Sequence, residues 1–453
     1  MNFSMNRRTL LKYSSASAAA VSFKGFNAFG ASGAVHNQKP HHAPKAKRII
    51  FLNMRGSPSH LDTFDYKPKL IKDNGKEGKY GNKLLAPITK FTKSGRSGLW
   101  LSDYFPNLQK CADDICLLKG MYSAQPNHPQ AQTLMHTGNF QFARPSLGAW
   151  ILYGLGSENR DIPGFISLNP AANTTQHYGS SFLPTEFQGT AIGKLARGGR
   201  GNSSGSAKLP NIDNSYISKE LQRKQVDFVQ LLNKGKKQRD RYSPETHGVA
   251  ESYEMAYRMQ FSMPEIMDYD KEKSSIKKMY GLEDQNTAAF GTQLLLARRF
   301  VEAGARFIEV SHGSWDHHFN MKTDLPNVCG QTDLPIAGLL KDLKQRGLLK
   351  DTLVIWSGEF GRTPEGQGTN GRNHNNKGYT SWMAGGGVKG GFNYGATDEH
   401  GYEAVEGRMS THDWHATILH MLGINHEKLT YNYAGRDFRL TDVYGEVAKD
   451  IIS

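Results

Sequence analysis

One stretch constrains the fold more than any other, because it is a short apolar run that ends abruptly in a glycine-flanked carboxylate. Residues 352–356 are rich in apolar, β-prone side chains and have the length of a strand buried on both faces. Glu359 follows at the strand end, where open α/β sheets place their sites. Arg362, Arg372 and His374 come next, in a glycine-rich segment that we predict to be a loop. Together they predict a metal or oxyanion site; the alternative is a surface loop with incidental charges.

The order of helical and extended segments sets the fold class. An apolar helix is predicted at residues 288–303 and a strand at 306–310. A second amphipathic helix at 332–345 leads into the strand at 352–356, and an early buried strand is predicted at 48–54. Alternation of this kind implies parallel strands joined by right-handed crossovers. We therefore expect an α/β fold with a central, mainly parallel sheet.

A histidine cluster follows the strand predicted at 306–310. His312, Asp316, His317 and His318 lie within seven residues of the sequence. Imidazole nitrogens and carboxylate oxygens are the donors that divalent metals take from proteins. The cluster is therefore a candidate metal site, and the alternative is a group of structural histidines.

Another candidate group opens a predicted helix in the first third of the chain. Pro129 near its start and Gly138 at its end bracket the helix. Asn127 and His128 then lie at its N-terminus, where backbone N–H groups and the helix dipole favour an anion. They are candidates for substrate binding and for acid–base chemistry. A purely structural histidine is the alternative.

The first predicted strand, 48–54, runs into a polar segment that contains His60 and Asp62. Polar and acidic groups at a strand end are candidates for the site. Serine, aspartate and proline in the same segment are equally suited to turns and helix caps. Both interpretations of His60 and Asp62 stay open at this point.

The chain is predicted to comprise a leader, a linker and one large domain. Residues 1–30 combine a twin-arginine pattern with a mildly apolar stretch and small residues at a cleavage spacing, which predicts a signal peptide. Residues 31–47 form the linker and 48–453 the α/β domain, with an inserted helical and loop region at about 173–284. No later stretch approaches the ~18–20 apolar residues of a membrane span. We therefore expect export by the twin-arginine translocase to the periplasm or cell envelope, or secretion.

Charge and cysteine content exclude several classes of function. The formal net charge is +14, but it is spread along the chain without a dominant basic run or a nucleic-acid motif. The pattern favours anionic polymers or surfaces over sequence-specific nucleic-acid binding. Cys111, Cys116 and Cys329 lack CxxC spacing, so a disulfide scaffold and a cysteine-held zinc are not expected.

Several ordered motifs resemble one family over almost the whole mature chain. They are GSPSHLDTFDYKP, NHPQAQTLMHTGN, WDHHFN, DLKQRGLLKDTLVIWSGEFGRTP, AGGGVKGG and HDWHATILHMLGINHEKLTYNYAGRDFRLTDV, together with the twin-arginine leader. The chain is similar to the exported family called "domain of unknown function 1501", which is grouped with sulfatase-like proteins of the alkaline phosphatase superfamily. The resemblance implies a three-layer sandwich with a central sheet and one or two divalent metals at the strand ends. It also implies hydrolysis of sulfate or phosphate esters.

Carried over residue by residue, the resemblance implies metal ligands at several strand ends. Glu359 matches a metal-binding position of the superfamily, and His374 resembles its late metal-binding histidine. Asp316 is paired with either His312 or Asn320 at a spacing of four residues. His317 and His318 are alternative ligands.

The superfamily's nucleophile does not match this chain. The sulfatase motif places a cysteine or serine ten residues before its glycine, and counting back from Gly138 reaches His128. The first strand also lacks the usual metal-binding aspartate, although Asp62 or Asp65 is available to replace it. A single metal that activates water directly is therefore the mechanism the resemblance leaves open.

These observations combine into one functional hypothesis with one rival. We predict a hydrolase of sulfate esters, or less favourably phosphate esters, that depends on a divalent ion (Zn, Ca, Mg or Mn) and acts on an anionic substrate such as a sulfated glycan. The predicted site residues are Asp316, His312, His318, Glu359 and His374 for the metal, His128, Arg362 and Arg372 for catalysis, and Asn127, His60 and Asp62 for substrate binding. The rival is a catalytically silent, sulfatase-like envelope protein that binds an anionic glycan or a partner.

Overall fold

A computed structural model describes residues 39–171, 174–193, 212, 216–239, 244–368 and 370–453. The predicted signal peptide at 1–30 lies outside these residues, as does the first half of the predicted linker. Within the described part, none of the helices combines the length and the apolar composition that crossing a bilayer requires.

The strands of the described residues are numbered in chain order. They are β1 (Arg48–Met54), β2 (Phe91–Ser94), β3 (Leu99–Ser102), β4 (Ile115–Tyr122), β5 (Phe165–Leu168), β6 (Thr190–Ile192), β7 (Phe307–His312), β8 (Thr352–Ser357), β9 (Gly361–Gln367), β10 (Gly371–Asn375), β11 (Tyr379–Gly385), β12 (Phe392–Tyr394), β13 (Ala396–Thr397), β14 (Ala404–Glu406), β15 (Met409–Ser410), β16 (Tyr431–Tyr433) and β17 (Arg436–Phe438).

The helices of the same residues are numbered in the same way. They are α1 (His60–Thr63), α2 (Pro68–Lys72), α3 (His128–Thr137), α4 (Leu147–Leu155), α5 (Thr175–Tyr178), α6 (Lys219–Arg239), α7 (Pro244–Met267), α8 (Ser274–Met279), α9 (Gln285–Glu302), α10 (Met321–Gln345) and α11 (Thr411–Met421). Short 3-10 turns lie at Leu108–Asp114, Thr185–Phe187, Tyr269–Lys271, Leu349–Asp351 and Lys449–Ile451.

A nine-stranded sheet forms the centre of the molecule, in the order β12-β4-β11-β8-β1-β7-β5-β6, with β15 beside the end of β4. Strand β1 pairs in parallel with both β7 and β8, so that Asn53 lies level with Ser311 and Ser357. Strand β11 runs antiparallel to both of its neighbours, and the other pairings are parallel. The predicted α/β class with a mainly parallel sheet is confirmed, and its three central strands end at one edge.

Side chains of the sheet alternate between two apolar layers. Ile50 and Leu52 of β1 face one core cluster, which also contains apolar residues of α9 and α10. Ile49 and Phe51 face the other, which contains residues of α4 and α11. All four are at most 1% exposed, and full burial of each such side chain stabilises the fold by about 1.5–3 kcal/mol. The result is the predicted sandwich of a sheet between two helical layers.

The segment after Glu359, predicted as a glycine-rich loop, is instead an antiparallel hairpin of β9 and β10. In this hairpin His374 lies opposite Arg362. Glycine permits the close packing that the hairpin needs, because a Cβ on Gly371 would lie 1.7 Å from the carbonyl oxygen of His318. The prediction was wrong because glycine content signals close backbone approach as well as loops. The hairpin therefore holds His374 against the segment that carries His318.

Helix α10 begins at Met321, well before the predicted start at 332. Pro326 and Pro335 lie inside it, and proline usually marks a helix boundary in sequence. The face that carries Leu325 and Cys329 is fully buried against the core, so packing outweighs the missing hydrogen bonds.

Candidate metal centre

Four side chains meet at the carboxyl edge of the central sheet. His128, Asp316, His318 and His374 each offer one donor atom, and these atoms all lie within 4.8 Å of one another. His128 opens α3, Asp316 and His318 follow β7, and His374 lies on β10. Residues that are far apart in the sequence are thus brought to one point, which we call the centre.

The aspartate lies in the middle of the three imidazoles. Its Oδ1 atom is 3.3 Å from Nε2 of His128, 3.0 Å from Nε2 of His318 and 3.5 Å from Nε2 of His374. The Nε2 atoms of His318 and His374 are only 2.9 Å apart. All three rings therefore direct the same nitrogen, Nε2, to the same place.

The opposite nitrogen of each ring is bonded to an oxygen. The Nδ1 atoms of the three histidines lie at hydrogen-bond distance from Oε1 of Glu359 (2.5 Å, His128), Oε1 of Gln367 (2.6 Å, His318) and the carbonyl oxygen of Pro126 (2.8 Å, His374). A carbonyl or carboxylate oxygen accepts, so each Nδ1 carries the proton and donates it. In the neutral tautomer each Nε2 then presents a lone pair to the centre, which is the usual state of a metal-binding histidine.

The charges of the centre are strongly coupled. Burial alone lowers the pKa of His128, but its hydrogen bonds with Asp316 and Glu359 raise it to about 9. Partial burial raises the pKa of Asp316, yet hydrogen bonds from His128, His374 and Arg362 hold it well below its ordinary value. Without a cation the centre is therefore held together by a proton on His128, and a metal ion can take over that positive charge.

Glu359, predicted as a metal ligand, lies behind His128 and not among the converging atoms. Its carboxylate is 1% exposed and also accepts from Nε2 of Gln132 at 2.6 Å and from the backbone N of Gly56 at 3.2 Å. Burial raises the pKa of Glu359, but the hydrogen bond and the charge of His128 outweigh burial and hold it below its ordinary value. This carboxylate orients the ring of His128.

The two predicted anion-binding arginines lie in different places. Arg362 reaches the centre, with its Nη2 atom 2.5 Å from Oδ1 of Asp316 and a second hydrogen bond to the carbonyl oxygen of Gly56. Arg372 is fully buried and forms an ion pair with Asp62, also fully buried, at 2.7 Å. Its remaining N–H groups donate to backbone carbonyls, among them that of Thr363. Arg372 and Asp62 therefore stabilise the β9–β10 hairpin and do not face the centre.

The remaining predicted residues are placed outside the converging set. His312 is 1% exposed, and its Nδ1 atom accepts a hydrogen bond from Trp315 at 3.2 Å. Burial lowers the pKa of His60 and of His312 to about 4, and that of His317 likewise. His60 bonds to the carbonyl oxygen of Gly401, and Asn127 is an exposed residue beside the start of α3.

Sequence reasoning missed the groups that hold the imidazoles, namely Gln132, Gln367 and the carbonyl of Pro126. Gln132 was open to detection, because it lies one helical turn after His128 and hence on the same face of α3. Gln367 and Pro126 gave no signal, since only the hairpin and the loop before α3 bring them to the rings.

A second polar group lies next to the centre and is joined to it by Gln132. It consists of Glu309, His136 and Asn53, which we call the Glu309 cluster. The Oε1 atom of Glu309 lies 3.0 Å from Nε2 of His136 and accepts from Nδ2 of Asn53 at 2.9 Å. Gln132 donates to Glu359 and accepts from Asn53 at 3.5 Å, so the two polar groups share one side chain.

Solved structures similar to this chain include two hydrolases and one synthase. A sulfatase from Pseudoalteromonas sp. has a TM-score of 0.38 and 14% identity, covering 84% of this chain and 68% of that one. A lipoteichoic acid synthase from Listeria monocytogenes has a TM-score of 0.37 and 10% identity, and the match covers 90% of this chain and 78% of that one. A phosphonate monoester hydrolase from Silicibacter pomeroyi has a TM-score of 0.33 and 10% identity, and the match covers 83% of this chain and 73% of that one.

No curated protein matches the sequence. A family model, described as "Protein of unknown function (DUF1501)", matches residues 46–452 and hence most of the chain. The match confirms the resemblance seen in the motifs, and the protein belongs to this family.

Proposed function

We propose that the protein is a metal-dependent hydrolase of sulfate or phosphate esters, with one divalent ion held by His128, Asp316, His318 and His374. One observation carries the proposal: three Nε2 atoms and a carboxylate oxygen converge while each Nδ1 is bonded from behind. Lone pairs that face one another at 2.9 Å repel unless a proton or a cation lies between them.

The donor set also narrows the choice of ion. Three nitrogens and one oxygen suit zinc and related transition metals. Calcium and magnesium prefer six or more oxygen ligands, which these four residues do not offer. Of the four ions predicted from the sequence, zinc fits the donors best and manganese next.

When bound, the ion would supply Lewis acidity and lower the pKa of a nearby water towards ~7. The residues of the chain supply the rest. Arg362 places a guanidinium beside Asp316, where it can hold an oxygen of the anionic ester. In the reaction, water adds its oxygen to sulfur or phosphorus, and the bond to the ester oxygen breaks. One water proton leaves with the alcohol, and the other goes to the solvent or stays on the released sulfate or phosphate.

The role of His128 follows from its position. The sequence suggested a general acid or base at this residue. Its Nε2 atom converges with the other donors and its Nδ1 atom bonds to Glu359, so both nitrogens are engaged. We therefore assign His128 to the metal, which leaves water as the nucleophile.

A rival function is favoured by a specific observation. Arg362 is 1% exposed and already bonded to Asp316, so the guanidinium that must hold the ester is partly occupied. A catalytically silent protein that binds an anionic glycan or a partner would need no free guanidinium at the centre. The two functions differ in turnover and not in metal content.

Metal analysis and turnover of aryl sulfate and aryl phosphate by the purified chain test the proposal. We expect about one transition-metal ion per chain and measurable hydrolysis, both lost in His374→Ala. His420→Ala, at a half-buried histidine outside the centre, is the matched control and should retain both. Bound metal without hydrolysis of either ester supports the silent binder, and a chain that binds no metal contradicts both the centre and the hydrolase.

We also propose export by the twin-arginine translocase, with residues 1–30 removed as a signal peptide and 31–47 as a linker to the domain at 48–453. N-terminal sequencing of the protein from the periplasmic fraction tests this. Recovery of the intact leader on a cytoplasmic protein contradicts it, without bearing on the metal centre.

A further inference from the structure

A polar cavity of about 260 Å³ opens beside the centre and shares His374 with it. It lies between the β9–β10 hairpin and the loop that carries Tyr80 and Asn82. Its described lining residues include Tyr80, Glu365, Gln367, Asn373, Asn376 and Lys377. The cavity is smaller than the ~300–1,000 Å³ of sites for drug-sized ligands, so it suits a single small ring.

Side-chain amides dominate the walls and keep some of their hydrogen-bonding groups open. Gln367 bonds to His318 through Oε1, while its Nε2 atom donates to none of the described residues. Asn373 accepts from the backbone of His374 through Oδ1, and Asn376 donates from Nδ2 to the carbonyl oxygen of Ser123. Open donors and acceptors therefore occur side by side. This combination suits hydroxyl groups, which donate and accept at the same time.

One wall offers an aromatic face on a fixed loop. The ring of Tyr80 is 49% exposed and packs edge-on against Tyr402, with centroids 5.4 Å apart. Glu365 is buried and fixes this loop by accepting from the backbone N of Tyr80 at 2.7 Å and of Asn82 at 3.0 Å. It also accepts from the hydroxyl of Tyr402 at 2.6 Å. The loop is held in place before any ligand arrives, which lowers the entropic cost of binding.

Formal charge contributes little to the cavity. Among the described lining residues other than His374, only Glu365 and Lys377 are charged. The carboxylate of Glu365 is used by its three hydrogen bonds, and Lys377 is exposed with Glu403 at 3.7 Å. The walls thus match an uncharged ligand, whereas the anionic group of an ester belongs next to Arg362 in the centre.

We propose that this cavity binds one neutral sugar ring, through its hydroxyl groups and through stacking on Tyr80, and that the ester hydrolysed at the adjacent centre is a sulfated or phosphorylated carbohydrate. The second half rests on the proposed hydrolase function; the binding of a sugar does not. His374 belongs to both sites, so a ring held in the cavity presents its ester group to the centre.

Saturation-transfer NMR of the full chain with methyl glycosides of neutral hexoses, 6-deoxyhexoses and N-acetylhexosamines tests the cavity. We expect binding of at least one of these glycosides, with the Kd raised about tenfold in Tyr80→Ala, because a lost aromatic contact of about 1.4 kcal/mol corresponds to a factor of ten. Tyr433→Ala is the matched control, since Tyr433 is 50% exposed and also packs on another aromatic ring. A chelator should leave glycoside binding unchanged while it removes turnover.

Three outcomes overturn the proposal: no glycoside of the panel binds, Tyr80→Ala binds as tightly as the natural chain, or short peptides compete for the site where sugars do not. None of these affects the metal content or the aryl-ester turnover that decide the hydrolase. Sugar binding that depends on Tyr80, in a chain without turnover, supports the cavity and contradicts the hydrolase.

Discussion

The centre and the Glu309 cluster both combine histidine with a carboxylate and are joined by Gln132, yet they differ in access to solvent. In the centre the side chain of Asp316 is 44% exposed and that of His128 is 26% exposed. In the Glu309 cluster the side chains of Glu309 and His136 are 3% and 4% exposed. Histidine and carboxylate occur together in both groups. The number of converging donor atoms and the exposure to solvent distinguish the centre from the cluster.

Protonation separates the two groups further. Burial raises the pKa of Glu309, but the charge and the hydrogen bond of His136 lower it to about 2. Burial lowers the pKa of His136, but Glu309 outweighs burial and raises it. The cluster is thus a buried ion pair between Glu309 and one histidine, His136. The centre has three histidines around one carboxylate, so a single proton cannot give all three Nε2 atoms a hydrogen bond.

The largest expected effect is loss of the metal in Asp316→Ala. This change removes the one atom to which all three imidazoles converge and leaves Arg362 without its carboxylate. We expect metal affinity to fall by about 1,000-fold, beyond the 10–100-fold typical of losing an outer partner. Competition with a chromogenic chelator measures it, and Asp324→Ala at an exposed position is the control. Retention of affinity in Asp316→Ala would show that the ion binds elsewhere.

A substitution in the Glu309 cluster should lower the stability of the fold and leave metal binding intact. Glu309→Gln removes the charge that balances the imidazolium of His136, and an unpaired buried charge costs about 3–5 kcal/mol. We expect the free energy of unfolding in urea to fall by about 3 kcal/mol, while the folded variant still binds its metal. Glu406→Gln, at an exposed strand position, should change stability little. A Glu309→Gln chain that is stable but metal-free would reverse the roles assigned to the two groups.

A substitution of Glu359 should have an effect on metal affinity between those of Asp316→Ala and Glu309→Gln. Glu359→Gln keeps an acceptor for Nδ1 of His128 but removes the negative charge behind the ring. We expect metal affinity to fall 10–100-fold, less than in Asp316→Ala, because this carboxylate orients a ligand without being one. The same chelator competition measures it, with Glu399→Gln at an exposed residue as the control. A loss as large as that of Asp316→Ala would place Glu359 on the metal, as the sequence first suggested.

Much of the framework was predictable because strand and helix periodicity is local. The strands that became β1, β7 and β8 and the parallel sheet all follow from runs of apolar residues and their alternation with helices. Asp316, His318 and His374 were named as candidate ligands from the sequence, and their donor atoms do lie together, since strand ends in such sheets converge. The antiparallel direction of β11 and the β9–β10 hairpin were not found, because both depend on contacts between distant segments.

The finer assignment of the site depends on side-chain direction, which residue type does not encode. Glu359 and His128 were both named as site residues, but the structure places the histidine among the converging donors and the glutamate behind it. Arg372 carries the charge expected of an anion clamp, and a buried aspartate nearby engages it instead. The i, i+4 pair of His312 and Asp316 fails for the same reason: His312 is the last residue of β7 and turns into the core against Trp315.

The smallest effect expected is a change in the acid sensitivity of the Glu309 cluster. His177 stacks on His136 with ring centroids 4.2 Å apart. Burial, followed by the charge of His136, lowers the pKa of His177 to about 3. The charge of Glu309 opposes this lowering and that of Arg55 adds to it. An unfolded chain binds a proton at His177 below its ordinary pKa of about 6.5, whereas the folded chain resists it down to about 3. The stability from neutral His177 is therefore present above about pH 6.5 and is lost as the pH falls towards 3.

The His177→Gln variant lacks this titrating ring. From pH 6 to pH 5 its free energy of unfolding should therefore fall by about 1 kcal/mol less than that of the natural chain. Urea unfolding at both pH values measures the difference, with His400→Gln as the control because His400 is partly exposed and pairs with Asp73, outside the stack. The three histidines of the centre are partly exposed, whereas His177 is buried. An acid dependence that is unchanged in His177→Gln would mean that the ring is already protonated in the fold and places a second positive charge beside the Glu309 cluster.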